Sequence, residues 1–125
     1  MILVFDTSQT ELSLALADSS GYVLRESHAF ASKSERGVHD ARLALEVEQL
    51  LGLENVTPTG LDRIGLVIGP GSFTGLRIGL AFAKGMAYVT KAGIVPVSPI
   101  RSGSRPSWWK APGARSPANP LRLCA

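Results

Sequence analysis

The sequence predicts an α/β layer fold built on a mixed sheet. Three observations point there. Short apolar runs bounded by turn residues recur through the first 99 residues. Two longer segments carry helical spacing. Read in order, the segments give β-β-β-α-β-α-β, a succession that layers helices on a sheet.

Ile2–Phe5 reads as a buried strand ending at Asp6. Leu12–Ala17 alternates apolar and small residues, which suits a half-buried strand. Asp18-Ser19-Ser20-Gly21 is a turn, and Tyr22–Glu26 returns as a third strand, so the opening is a meander.

A helix follows, capped at Ser32 or Ser34 and running to about Leu51, with Gly52 as its stop. Leu43, Val47, Leu50 and Leu51 fall on one face, the usual stripe of a helix laid on a core. Val38, Ala41 and Leu45 form a weaker stripe nearly opposite. Tolerance of small residues and a partner-binding face both account for it.

Thr57–Arg63 is a loop, and Ile64–Ile68 is the next strand. Then comes the most distinctive segment, Gly69-Pro70-Gly71-Ser72-Phe73-Thr74-Gly75-Leu76-Arg77-Ile78-Gly79. It opens a second helix reaching about Lys91, which Gly93 ends, and Ile94–Val97 is a last short strand. Gly75, Gly79, Ala83 and Ala87 recur at every fourth position of that helix, a smooth ridge that permits close approach. Internal packing and a subunit interface both fit such a ridge.

Charge divides the chain. Residues 1–99 hold eight Lys and Arg against all ten acidic residues, for a net −2. Residues 100–125 hold five basic residues and no acid, for a net +5. The overall +3 therefore belongs to the tail and is no argument for nucleic-acid binding by the domain. The tail also carries four prolines and both tryptophans, without helical or strand period, so it reads as an unstructured Pro/Arg-rich segment. The abrupt change near Ser98-Pro99 suggests a lost reading frame, which an intact frame shared by close relatives would refute. No apolar run approaches the roughly 20 residues of a membrane span. The single Cys124 and the absence of a basic leader fit a cytoplasmic protein.

The glycine loop fails the standard nucleotide patterns. A phosphate-binding loop needs Gly-x-x-x-x-Gly-Lys-Ser/Thr, but the sixth residue from Gly69 is Thr74 and from Gly71 is Leu76. The dinucleotide fingerprint needs a third glycine at position 74, and an acidic ribose reader downstream. No Asp or Glu follows Asp62. Anion contacts at the helix start remain open to Gly71, Ser72 and Thr74. Asp6, with Thr7 and Ser8 after it, can bind a metal, act as a base or simply cap its own turn. His28 and His39 have no partner at metal-ligand spacing and read as solvated surface residues, so no metal site is expected. Ser72 is not in a Gly-x-Ser-x-Gly setting, and no catalytic residue is assigned.

Two pieces nonetheless resemble one family. Ile2-Leu3-Val4-Phe5-Asp6-Thr7-Ser8 with the following strand is similar to the opening of the TsaB (YeaZ) proteins. The Gly69–Gly79 segment, continued by Ala83-Lys84-Gly85, resembles that family's hallmark, and Ser34-Glu35-Arg36 before a Leu-rich helix is also similar. The resemblance covers residues 1–99, a lobe with the tail beyond it. It implies an actin-like, Hsp70-like ATPase fold of the ribonuclease H-like class, here only the N-terminal lobe.

It also implies a role in making N6-threonylcarbamoyladenosine at position 37 of tRNA, as a non-catalytic accessory subunit pairing with the catalytic paralogue TsaD, with the ATPase TsaE joining. tRNA would be met only through that complex. The pairing would use the two helices, with Val38, Ala41, Leu45, Gly75, Gly79 and Ala83 as interface residues; homodimers would use the same region. No cofactor is implied for this chain alone, ATP or ADP entering only in the complex. Catalytic members of the wider superfamily hold phosphate with Asp-x-Gly-Thr/Ser, where this chain has Ser8 and Gln9, so Asp6, Thr7, Ser8, Gly71, Ser72 and Thr74 would be vestigial contacts. The paired metal histidines of TsaD are absent. The second lobe of a full-length member is missing, so an exposed lobe face and an open final sheet edge are expected, with reduced stability or aggregation as the consequence. A small ATP-binding lobe of a kinase-like enzyme and a truncated product without function are the alternatives.

Overall fold

The computed structural model describes residues 1–30 and 39–98. The apolar runs become five strands in one sheet, ordered β3-β2-β1-β4-β5. The first three, β1 (Ile2–Asp6), β2 (Glu11–Ala17) and β3 (Val23–Phe30), form the antiparallel meander. The last two, β4 (Arg63–Val67) and β5 (Gly93–Val97), join the far side of β1 in parallel. Helix α1 (His39–Leu53) connects β3 to β4, and α2 (Phe73–Thr90) connects β4 to β5. The sheet is therefore mixed and the element order among the described residues is the expected one, with a 3-10 turn at Pro58–Gly60 added.

Register decides which side chains meet. Leu3 lies opposite Leu16 and Ile64, and Phe5 opposite Leu14 and Leu66. Strand side chains alternate faces, so these six share one face. The predicted inner stripe of α1, Leu43, Val47, Leu50 and Leu51, closes over them and is buried, as is Ala83 of α2. Phe82 meets Phe5 edge-on with ring centroids 5.7 Å apart. Ile2, Val4 and Ala17, on the opposite face, are buried as well. Polar contacts tie α1 down: Ser27 Oγ donates to Glu46 Oε2 at 3.0 Å, and Arg25 pairs with Glu54.

Both helix ends depart from the sequence reading. Gly52 does not stop α1, which continues to Leu53. Asn55 takes the left-handed conformation instead, at φ 52°. Its N–H reaches Gly52 O and the Val56 N–H reaches Leu51 O, the paired closure of a Schellman motif. Asn tolerates that conformation, which is why a glycine is not needed there. Likewise Lys91, at φ 63°, ends α2 before Gly93 is reached. Its ammonium lies 4.9 Å from the centre of the Tyr88 ring, and Thr90 Oγ1 donates to Met86 O.

Among the described residues β5 is the open final edge of the sheet, as expected, but a proline modifies it. The Gly93 N–H donates to Asp62 O, and Val97 O accepts from the Ile68 N–H. Residues 93, 95 and 97 therefore turn their backbone groups toward β4, and 94 and 96 turn theirs outward. Position 96 is proline, so one of the outward N–H donors does not exist. A proline on a free edge blunts strand addition. Val38, the proposed caps Ser32 and Ser34, and the Pro/Arg-rich tail lie outside the described residues.

Candidate functional site

The chemistry-bearing residues of the sequence converge where β1, β4 and α2 meet. Asp6 ends β1, and its carboxylate Oδ1 accepts the Ser8 N–H at 2.8 Å. That is an Asx turn, so of the three roles open to Asp6 the carboxylate fills the turn-capping one. Thr7 and Ser8 behind it are buried.

The glycines of the loop press onto this turn. A Cβ on Gly71 would overlap Ser8 O and Ser8 Cβ. One on Gly75 would overlap Thr7 O, and one on Gly79 would overlap Thr7 Oγ1 and lie 3.0 Å from Leu66 Cδ1. Three glycines spaced by four residues thus form the groove that seats Thr7 and Ser8. Gly69 adds a backbone requirement of its own, at φ 109°.

Hydrogen bonds fasten the same contact. Thr7 Oγ1 donates to Gly75 O at 2.7 Å, inside the fold. The Ser72 N–H donates to Ser8 O at 2.7 Å. Ser72 is the N-cap of α2, its hydroxyl accepting the Gly75 N–H at 3.2 Å. The Gln9 amide donates to Pro70 O at 3.3 Å and to Ser8 Oγ at 3.4 Å. Thr74 is exposed on the first turn of α2.

This geometry corrects the expected use of the ridge. Gly75, Gly79 and Ala83 are buried against β1 and β4 rather than presented on the surface. A partner cannot reach residues already in van der Waals contact within the chain. The opposite stripe of α1 is placed as expected for a surface: Ala41 is exposed and Leu45 is 56% exposed. Sequence reasoning missed the residues that accompany it on α2, where Phe73 (73% exposed), Arg77, Leu80, Lys84 and Tyr88 (79% exposed) point outward. They recur at intervals of three and four, the signal of one helix face. The Arg77 guanidinium carbon lies 5.6 Å from the centre of the Phe73 ring.

His28 is exposed on β3, as the sequence reading has it. Its Nδ1 lies 3.4 Å from both Ser13 Oγ and Glu11 Oε1. Its register opposite Ser13 brings this about, and sequence spacing does not disclose it. Among the described residues, no group of three or more His, Cys, Asp or Glu converges to hold a metal ion. No helix among them is long and apolar enough to cross a membrane.

Comparison with known proteins agrees with the architecture. The family described as "TsaD: tRNA N6-adenosine threonylcarbamoyltransferase" matches residues 33–118, so the match runs past residue 99 into the Pro/Arg-rich segment. The chain is 34% identical over 101 residues to the tRNA threonylcarbamoyladenosine biosynthesis protein TsaB of Bacillus subtilis, covering 81% of this chain and 41% of that one. The structure of YeaZ from Pseudomonas aeruginosa superimposes with a TM-score of 0.67 at 31% identity, over 78% of this chain and 43% of that one. Thermus thermophilus RuvC shares the fold alone, with a TM-score of 0.53 at 14% identity. The chain thus spans about two-fifths of the length of the curated TsaB relatives it matches. With a ribonuclease H-like and actin-like sheet, sequence similarity to TsaB and YeaZ, and a family match over most of its length, the chain belongs to the TsaD-related family and, within it, to the TsaB/YeaZ proteins.

Proposed function

We propose that the chain is a non-catalytic accessory subunit in tRNA N6-threonylcarbamoyladenosine formation, docking on the paralogue TsaD through the outer faces of α1 and α2. The observation that carries this reading is the exposure of Leu45, Leu80, Phe73 and Tyr88 on two helices packed side by side. Apolar side chains gathered on one surface mark a place where another protein covers them. TsaE joins this pair, and tRNA is met through the assembled complex in the cytoplasm. A second copy of the chain is the competitor for the same face.

The strand-end turn supports a subunit without chemistry of its own. A phosphate bound there would need free donors and close backbone approach. The Ser8 and Ser72 N–H groups and the Thr7 hydroxyl are spent within the chain, and Ser8 stands against the loop's glycines. These residues do not fit a nucleotide phosphate, which disfavours the kinase-like alternative.

Co-purification of the full 125-residue chain with TsaD is the test. The chain is expected to be retained by TsaD, and Leu45→Glu combined with Tyr88→Glu is expected to abolish retention while leaving the fold intact. Failure of the unsubstituted chain to co-purify would overturn the proposal.

A further inference from the structure

We infer that Thr7 is a positioning residue for the docking face: its hydroxyl pins the rotation and height of α2, and so decides which side chains that helix presents outward. The inference rests on the proposed docking of α1 and α2. It reassigns the strand-end turn from ligand contact to alignment of a protein surface.

Where a helix lies on a sheet through glycines, that stretch offers no side-chain ridge to fix its rotation. The inner side of α2 has this weakness at Gly75 and Gly79. Thr7 supplies the missing lock from the other side. Its side chain occupies the space where a Gly79 Cβ would be, and its main-chain oxygen the space of a Gly75 Cβ. Its hydroxyl donates to Gly75 O at 2.7 Å in a buried setting. Directional bonds of this kind fix an orientation in a way that apolar contact does not.

The outward residues depend on that orientation. Phe73, Arg77, Leu80, Lys84 and Tyr88 lie on the side of α2 away from Gly75, Gly79 and Ala83. Successive residues are about 100° apart around a helix, so a rotation of even part of one residue's share re-aims the whole stripe.

The test measures affinity for TsaD and urea stability in the full chain, for Thr7→Val, Thr7→Ser and the core control Leu16→Ala. Thr7→Val keeps the shape and removes the hydroxyl. It is expected to weaken TsaD binding at least about tenfold under conditions where it is fully folded. Thr7→Ser keeps the hydroxyl and is expected to stay within about twofold of the unsubstituted chain. Leu16→Ala destabilises the core away from α2 and is expected to bind normally once folded. Normal binding by Thr7→Val, or equal weakening by all three, would overturn the inference. Should Thr7→Val not fold, a Thr7→Ser chain that folds but loses affinity overturns it equally, and one that binds normally while Gly79→Ala binds weakly upholds it. Failure of the unsubstituted chain to bind TsaD is a different result, and tells against the proposed function instead.

Discussion

Gly79 of α2 lies against the Thr7 side chain with no room between them for a Cβ. The glycine is therefore a requirement of the fold, and its substitution acts on stability before it acts on any partner. Alanine ordinarily favours a helix by up to about 1 kcal/mol over glycine. Here the added methyl would displace Thr7 Oγ1 and crowd Leu66 Cδ1. Overpacking of this kind costs roughly 1–3 kcal/mol, so Gly79→Ala is expected to lose stability, and Gly79→Leu more. Urea unfolding measures it. A Gly79→Ala chain as stable as the original would mean that α2 moves away at little cost.

Gly85 is the opposite case on the same helix. It is exposed in the middle of α2, and a Cβ there would meet nothing within 4 Å. Gly85→Ala is expected to raise stability by roughly 0.5–1 kcal/mol, since alanine loses less backbone freedom and keeps the helix. A rise in Tm checks it. The pair of substitutions separates a glycine kept for packing from one that the fold does not need.

The N-terminus of α2 gives a third test. Ser72 accepts the Gly75 N–H through its hydroxyl, satisfying one of the donors that every helix start leaves open. Ser72→Ala is expected to cost about 1 kcal/mol and Ser72→Asp to restore most of it. Equal loss in both variants would show that the main-chain bond from Ser72 N to Ser8 O, not the cap, holds this junction.

The sheet and both helices were legible because period-2 and period-3.6 patterns are local properties of the chain. Leu43, Val47, Leu50 and Leu51 announced the buried side of α1 by spacing alone. The facing of the glycine ridge was not legible. A row of small residues fixes one side of a helix but does not say whether it meets the chain's own backbone or another subunit's. That depended on Thr7 and Ser8 lying beside it, a contact across more than sixty residues. The helix stops were misplaced because Asn55 and Lys91 adopt the left-handed conformation usually granted to glycine. Paired termini of this sort are chosen by the bonds they close, not by residue type. Asp6 could be placed at a strand end from the sequence, but which of three roles its carboxylate takes needed the Ser8 N–H in view.

Pro96 provides a prediction about solubility. It removes an outward N–H from the free edge of β5, where Val67 and its neighbours in β4 already satisfy the other side. Pro96→Val restores that donor and adds a residue favoured in strands. The variant is expected to associate more readily than the original chain, seen as a concentration-dependent rise in mass by light scattering. Unchanged mass would show that the edge is protected by something other than the proline.

Glu26 makes stability depend on pH in a direction that can be worked out. It lies on β3 opposite Ala15, and partial burial raises its carboxyl above the ordinary range, with the neighbouring His28 acting in the opposite, weaker sense. The folded chain therefore holds the Glu26 proton more tightly than the unfolded chain. Between the unfolded and the folded pKa the native state binds more protons, so stability falls as pH rises through that window. Above it Glu26 is charged in both states and its desolvation cost is fully present. Glu26→Gln has no such charge. At neutral pH the variant is expected to be more stable by a few tenths of a kcal/mol, a figure kept small because the side chain remains largely open to solvent screening. Near pH 4 and below, where the carboxyl is protonated in the folded chain, the advantage is expected to vanish. Urea unfolding of both chains at neutral and acid pH decides it. An advantage for Gln that is the same at both would place its origin in packing or hydrogen bonding, not in the charge.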